Sequence, residues 1–133
     1  MFEHHVGIDI SRLQIDVSVE LKGKFKHRQF ANSQKGFEAL MEWCEKNGVT
    51  DAHFCMEATG AFWVALATFL SERSLAVSVV NPSCVKRFAQ SELKRTKTDK
   101  VDAGIIARFC CAMKPSLWQP IPPECQMLQQ LVR

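Results

Sequence analysis

Residues 4–31, HHVGIDISRLQIDVSVELKGKFKHRQFA, carry the pattern that decides the fold. Apolar residues alternate through His4–Ile10 and again through Gln14–Leu21, which is the period of a strand with one buried face. Lys22-Gly23-Lys24 suits a tight turn, so Phe25–Ala31 should return as the partner strand of a β-hairpin. The chain therefore opens with the antiparallel part of a sheet.

The rest of the chain alternates between helices and short strands. Asn32 or Ser33 can cap a helix that ends near Gly48. Strands are expected at Ala52–Met56 and Leu75–Val80, and the continuous apolar run of the second predicts a central strand covered on both faces. Further helices are expected over Ala61–Arg73, from Asn81-Pro82 to about Glu92, and over Asp99–Met113. A hairpin followed by this alternation favours an α/β fold, with a mixed sheet and helices on both faces.

Length and proline content suggest the domain boundaries. A chain of 133 residues with 47% hydrophobic residues suits one globular domain. Prolines interrupt the sequence after Met113, and Glu124–Arg133 returns to helical spacing without a cap. We expect one domain over residues 1–114, followed at 115–133 by a proline-rich linker and the start of a truncated helix.

The composition argues against several classes of protein. The longest uncharged apolar run, Ala58–Ser71, is shorter than the ~20 residues that a spanning helix needs. The N-terminus has no apolar stretch typical of a signal peptide, so we expect a cytoplasmic protein without a membrane partner. Six cysteines among 133 residues fall below the ~8–10% of a disulfide scaffold, and no pair has C-x-x-C spacing. We expect reduced thiols that are buried or incidental.

Four carboxylates occupy positions where a charged side chain is unfavourable on structural grounds. Asp9 interrupts an apolar strand, and Glu57 ends a buried one. Asp99 and Asp102 are three residues apart at a predicted helix start, so they should share a helix face. Hard divalent cations prefer oxygen ligands, and paired ions stabilise the attacking and leaving oxygens of a phosphodiester. The pattern indicates metal-dependent phosphodiester chemistry.

Three of these acids also have a structural explanation, whereas an unpaired charge at Asp9 in a central strand is the hardest to explain that way. Asp99 could complete a capping box, and Asp102 could balance a neighbouring cation. Glu57 could simply flank a loop. Asp16 is assigned to the polar face of its hairpin strand and is left out of the candidate site.

Positive charge is concentrated in one window of the chain. The formal net charge is +3, yet residues 86–100 contain six cations against two acids. A local basic segment is typical of a polyphosphate partner, although a solvated surface would look the same. A second basic run, Lys22 to Arg28, follows the hairpin and suits either phosphate contact or protection of a strand edge. The candidate nucleic-acid-binding residues are Lys86, Arg87, Lys94, Arg95, Lys97 and Lys100.

Four short motifs follow one another along the chain: Gly7-Ile8-Asp9-Ile10-Ser11, Glu57-Ala58-Thr59-Gly60, Val80-Asn81-Pro82 and Lys97-Thr98-Asp99-Lys100-Val101-Asp102-Ala103. In this order they resemble the N-terminal domain of the insertion sequence 110 family transposases. These proteins are also called DEDD transposases, and they are similar to the pilin-gene invertases. The resemblance runs from about Val6 to Arg133, and it places the family's catalytic and metal-binding tetrad on Asp9, Glu57, Asp99 and Asp102.

The resemblance implies a ribonuclease H-like fold close to that of the resolvase RuvC. It implies Mg²⁺ at the tetrad, with Mn²⁺ able to substitute, and site-specific recombination of DNA during transposition. Family members are guided by a structured bridge RNA, and we expect a homo-oligomer. Full-length members add a coiled coil and a C-terminal domain with a nucleophilic serine, which this sequence does not contain.

Three functions follow from these observations. The first is a metal-dependent DNA recombinase domain. The second is a non-catalytic nucleic-acid-binding and assembly module. The third, an actin-like or sugar-kinase ATPase, is disfavoured because Ile10, Ser11 and Arg12 follow Asp9, where a phosphate loop needs glycine.

Overall fold

The computed structural model describes residues 2–92 and 102–120 of the chain. Within these ranges the strands are β1 His4–Ile10, β2 Gln14–Leu21, β3 Lys24–Ala31, β4 Ala52–Glu57 and β5 Ala76–Val80. The helices are α1 Gln34–Lys46, α2 Val64–Glu72, α3 Pro82–Glu92 and α4 Ala103–Met113. The type and order of these nine elements are those that the sequence predicts.

The strands form one mixed sheet in the order β3-β2-β1-β4-β5. β1 and β3 both pair antiparallel with β2, whereas β4 pairs parallel with β1 and with β5. Lys22 and Gly23 form the two-residue turn between β2 and β3, with φ of 51° and 81°. Positive φ at both positions is typical of the hairpin turn that matches the twist of the strands. The predicted hairpin is confirmed, and β1 lies at the centre of the sheet.

Two hydrophobic clusters cover the two faces of the sheet. One packs Ile8 of β1 with Leu40 of α1 and Leu66 of α2. The other packs Cys55 of β4 with Val85 of α3 and Ile106 of α4. Successive strand residues point to opposite faces, so α1 and α2 lie on one side and α3 and α4 on the other. Burial of each such aliphatic side chain stabilises the fold by ~1.5–3 kcal/mol. The prediction of helices on both faces of the sheet is confirmed.

Local hydrogen bonds mark where two helices begin. Ser33 is the N-cap of α1, and its Oγ accepts a hydrogen bond from the Gly36 N–H at 3.3 Å. α2 begins at Val64 rather than at Ala61, because a turn precedes it in which Trp63 Nε1 donates to the Gly60 carbonyl at 3.0 Å. Gly60 has φ of 62°, which an ordinary helix excludes.

The prediction that Leu75–Val80 forms a central strand is wrong. In the described part of the chain, β5 pairs with β4 alone and lies at an edge of the sheet. It is nevertheless buried, with Val77 1% and Ser78 0% exposed. The segment after α4 covers the open edge, since the Trp118 N–H donates to the Val77 carbonyl at 2.7 Å. A continuous apolar sequence therefore indicates that a strand is buried on both faces, but it does not indicate where the strand lies in the sheet.

The thiols behave as buried or incidental groups, as predicted. The five cysteines within the described ranges are all free: Cys44, Cys55, Cys84, Cys110 and Cys111. Burial raises the pKa of the Cys44 thiol to about 12, and a hydrogen bond with Cys55 raises the pKa of Cys110. Such thiols stay protonated and pack as small apolar groups. In the same ranges, every helix is too short or too polar to cross a membrane.

Candidate active site

Asp9 and Glu57 lie at the carboxyl ends of two adjacent parallel strands. The register pairs Gly7 with Cys55 and Ile8 with Met56, so the next residues along β1 and β4 are the two acids. Cys55 faces the α3 and α4 side of the sheet. Because side chains alternate along a strand, Asp9 and Glu57 point to that same side.

The two carboxylates interact electrostatically. Burial raises the pKa of the Glu57 carboxyl, and the charge of Asp9 raises it further, whereas a hydrogen bond from Thr59 acts in the opposite direction. A like charge disfavours ionisation because two carboxylates at one site repel each other. A bound cation would relieve this repulsion.

Asp102 approaches Asp9 from the helix packed above β1. It is the N-cap of α4, with an extended backbone, and its Oδ1 accepts a hydrogen bond from the Ile105 N–H at 3.0 Å. The helix therefore starts at Ala103, and the prediction of a helix that already includes Asp102 is wrong. Asp102 is exposed, and it lines the same cleft as Asp9.

This cleft has a volume of about 420 Å³ and is lined by both strands of the hairpin as well as by Asp9 and Asp102. We call it the carboxylate cleft. Its lining residues are Asp9, Asp16, Val17, Ser18, His27, Arg28, Gln29, Asp102 and Ala103.

Asp16 also lines this cleft, although its place on the polar face of β2 predicted no role in the site. It lies directly opposite Asp9 in the antiparallel register, and its Oδ1 accepts a hydrogen bond from Gln29 Nε2 at 2.9 Å. Asp16 is on the polar face of β2, as predicted, but that face is the floor of the cleft. The short connection between β1 and β2 was the available signal, since a tight turn places Ile10 opposite Ile15 and hence Asp9 opposite Asp16.

The remaining predicted site residues divide into two groups. Lys86 and Arg87 are exposed on α3, on the same side of the sheet as the acids. Five residues lie outside the described ranges: Lys94, Arg95, Lys97, Asp99 and Lys100. Among the described residues, no three His, Cys, Asp or Glu side chains are arranged to hold a metal ion. The structure brings Asp9 together with Glu57 and with Asp102.

Comparison with a solved structure shows the fold class. The chain is similar to RuvC of T. thermophilus in complex with Holliday junction substrate, with a TM-score of 0.55 and 12% sequence identity. The match covers 86% of this chain and 98% of that one. The mixed sheet is therefore ribonuclease H-like, as the sequence analysis expected.

Comparison of sequences shows the family. The chain is 36% identical to the pilin gene-inverting protein of Moraxella lacunata over 122 residues, and 35% identical to that of Moraxella bovis. Each match covers 90% of this chain but 38% of the relative, so the chain spans well under half the length of these relatives. The family model of the insertion sequence 110 DEDD transposases, described as "Transposase", matches residues 6–133. This chain belongs to the insertion sequence 110 family of DEDD transposases.

Proposed function

We propose that this chain is the metal-dependent catalytic domain of a DNA transposase. It would act on DNA phosphodiesters during site-specific recombination. The observation that carries the proposal is the placement of Asp9 and Glu57 side by side, where burial and then the charge of Asp9 raise the pKa of Glu57. Two acids kept together against their own repulsion are typical of a cation site.

The donor set suits a hard divalent cation. Carboxylate oxygens are the ligands that Mg²⁺ prefers, and Mn²⁺ accepts the same ligands. Asp9, Glu57, Asp99 and Asp102 would hold the ion. When bound, it would supply Lewis-acid activation of a phosphodiester and neutralise developing charge.

The chain's own residues would position these ligands and the DNA. The sheet holds Asp9 and Glu57 on neighbouring strands, and the capping hydrogen bond orients Asp102. Lys86 and Arg87 add positive charge on the same side of the sheet, where they can contact backbone phosphates. The basic residues between 94 and 100 would extend that surface.

Several finer expectations rest on family membership. We propose that the protein works with a structured guide RNA and assembles with copies of itself. The relatives are named for inversion of a pilin gene, and the structural neighbour is bound to a Holliday junction. A branched DNA is therefore the substrate class to test first.

The proposal is tested by cleavage of a four-way DNA junction and a matched linear duplex in Mg²⁺ or Mn²⁺. We expect the wild type to cleave. We expect Asp9→Asn and Glu57→Gln each to lower the cleavage rate more than about 100-fold, because each variant replaces a charged carboxylate ligand with a neutral amide of the same size. Binding of both DNAs should persist in the variants. Cleavage that survives both substitutions would overturn the proposal.

A second candidate function is nucleic-acid binding and assembly without catalysis. It is favoured by the exposed cations Lys24, Lys26 and Arg28, which alternate along the edge strand β3. In the same assay, this function predicts tight binding and no cleavage by any version of the chain.

A further inference from the structure

Ser18 is a buried hydroxyl that the proposed chemistry does not use. It is 1% exposed, in the centre of β2, on the strand face that lines the carboxylate cleft. Its Oγ forms a hydrogen bond with Nδ1 of His27, which lies directly opposite on β3. A buried hydroxyl is costly without such a partner, so this pair holds the imidazole at a defined position.

A ring contact with Phe25 further orients the His27 ring. Phe25 stacks on it with ring centroids 6.1 Å apart and planes inclined by 13°. Phe25 in turn lies under the Arg108 guanidinium of α4, at 5.7 Å from its centroid. The first turn of α4 passes close by, since a Cβ at Gly104 would lie 3.9 Å from His27 Cε1. The hydrogen bond from β2 and the stacking within β3 thus hold an imidazole that is itself exposed, with the first turn of α4 nearby.

His27 faces the carboxylate cleft, where the neighbouring polar side chains are otherwise engaged. Gln29 Nε2 donates to Asp16, and the Arg28 guanidinium lies 5.9 Å from the Phe30 ring on the other face of β3. The acids of the cleft repel a DNA backbone. Among the described residues of this wall, His27 is the side chain with a ring nitrogen available to a substrate.

We propose that His27 is a further substrate-binding residue of the carboxylate cleft, where it donates a hydrogen bond from Nε2 to a DNA phosphate oxygen. Ser18 is its positioning residue. When the Ser18 hydroxyl donates to Nδ1, the neutral ring carries its proton on Nε2, which makes that nitrogen a donor. The inference rests on the proposed function, because it takes DNA as the occupant of the cleft.

The test is a double-mutant cycle between His27 and individual phosphates. A four-way DNA junction is prepared with single methylphosphonates, which lack the phosphate charge, and binding is measured by fluorescence anisotropy in EDTA. We expect His27→Ala to weaken binding about 5- to 10-fold. One methylphosphonate should weaken binding of the wild type but not of His27→Ala. His27→Gln, which keeps an N–H donor, should recover part of the loss.

His4→Ala is the matched control, since it removes an imidazole at the opposite end of β1, and it should leave the cycle unchanged. Far-UV circular dichroism checks that each variant is folded. Additive effects at every phosphate, or a wild type that binds no DNA, would overturn the assignment of His27. Because metal is absent, cleavage does not enter this experiment. If His27 and one phosphate show coupling but the chain never cleaves DNA, the assignment of His27 as a DNA-binding residue stands. Only the catalytic proposal is then refuted.

The role of Ser18 has its own readout. Long-range ¹H–¹⁵N NMR distinguishes the two imidazole tautomers, and we expect the Nε2–H form of His27 in the wild type. Ser18→Ala should lower the population of that form and weaken DNA binding by less than His27→Ala does. A wild type that carries the proton on Nδ1 would contradict the proposal, because Nε2 could then not donate.

Discussion

A side chain at Gly7 would place its Cβ 2.1 Å from the carbonyl oxygen of Ala103, so β1 and α4 pack backbone against backbone. The same atom would lie 2.3 Å from the backbone nitrogen of Ala107. This contact brings the N-terminus of α4, with Asp102, over the strand that carries Asp9. The glycine two residues before the acid is therefore part of the architecture of the site.

Gly7→Ala should destabilise the fold by more than about 2 kcal/mol, because the methyl group meets backbone atoms that cannot move independently. Gly104→Ala is the matched control within α4. Its Cβ would meet Asp102 Oδ1 at 3.3 Å, and alanine favours a helix, so we expect a change within about 1 kcal/mol. Urea unfolding measures both variants, and equal losses would contradict the close contact.

Glu57→Gln should stabilise the metal-free chain at neutral pH. The folded-state pKa of Glu57 is raised by burial and by Asp9, so the fold favours the protonated form. Wild-type stability should therefore fall as pH rises from the ordinary value of about 4.3 through the raised one. The gain should stay well under the ~1.4 kcal/mol of one pKa unit, since the group is partly solvated. Unfolding at pH 4 and pH 7 measures it, and an equal gain at both values would refute the mechanism.

Divalent metal should stabilise the wild type but not Asp9→Asn. At a tenfold excess over Kd, specific binding contributes about 1.4 kcal/mol, which corresponds to a few degrees in Tm. Glu42→Gln, on an exposed part of α1, is the control that should respond like the wild type. Thermal melts in EDTA and in millimolar Mg²⁺ or Mn²⁺ decide the matter. The same rise in Tm for all three proteins would place the metal elsewhere.

Replacing Lys94, Arg95 and Lys97 with Ala should weaken DNA binding and flatten its salt dependence. If each cation contacts one phosphate, the log–log slope should drop by up to about three units. Lys35 and Lys46 are exposed on α1, on the other side of the sheet, and their double Ala variant should keep the slope. An unchanged slope in the triple variant would assign its three residues to a solvated surface.

Acidification should destabilise the amino end of the sheet through His53. Burial lowers the pKa of His53, and the nearby His5 lowers it further. Its Nε2 hydrogen-bonds with Ser78 Oγ at 2.6 Å, and Ser78 Oγ donates to the Ser116 carbonyl at 2.7 Å. Because the folded-state pKa is depressed, stability should be lost as pH falls below the ordinary value of about 6.5.

Unfolding between pH 7 and pH 5 measures this loss, which His53→Gln should reduce and His4→Gln should not. The edge-to-face pair of Trp63 and Trp118, with centroids 5.7 Å apart, provides a local far-UV circular dichroism signal. In the wild type, that signal should weaken as the pH falls, before the protein unfolds globally. A pH profile unaffected by His53→Gln would remove His53 from this role.

The local pattern of the sequence determined the elements and the candidate acids. Alternation along residues 4–31 has a period of two wherever one strand face is buried, so the hairpin is readable without any distant contact. Asp9 and Glu57 were identifiable because each interrupts or ends an apolar strand, where an unpaired charge is costly. The family resemblance rested on the same local motifs.

Tertiary structure alone decided which residues share the cleft. The position of β5 at the sheet edge depends on pairing, which periodicity does not encode. Whether Asp16 lines the cleft depends on which face of the sheet α4 packs against. α4 packs on the face where Gly7 has no side chain to keep it away. The pairing of Ser18 with His27 likewise needs the register of two strands and the helix above them. A sequence pattern shows which strand residues face away from the apolar core on one side of the sheet. The packing of the chain decides which residues they contact on the other side.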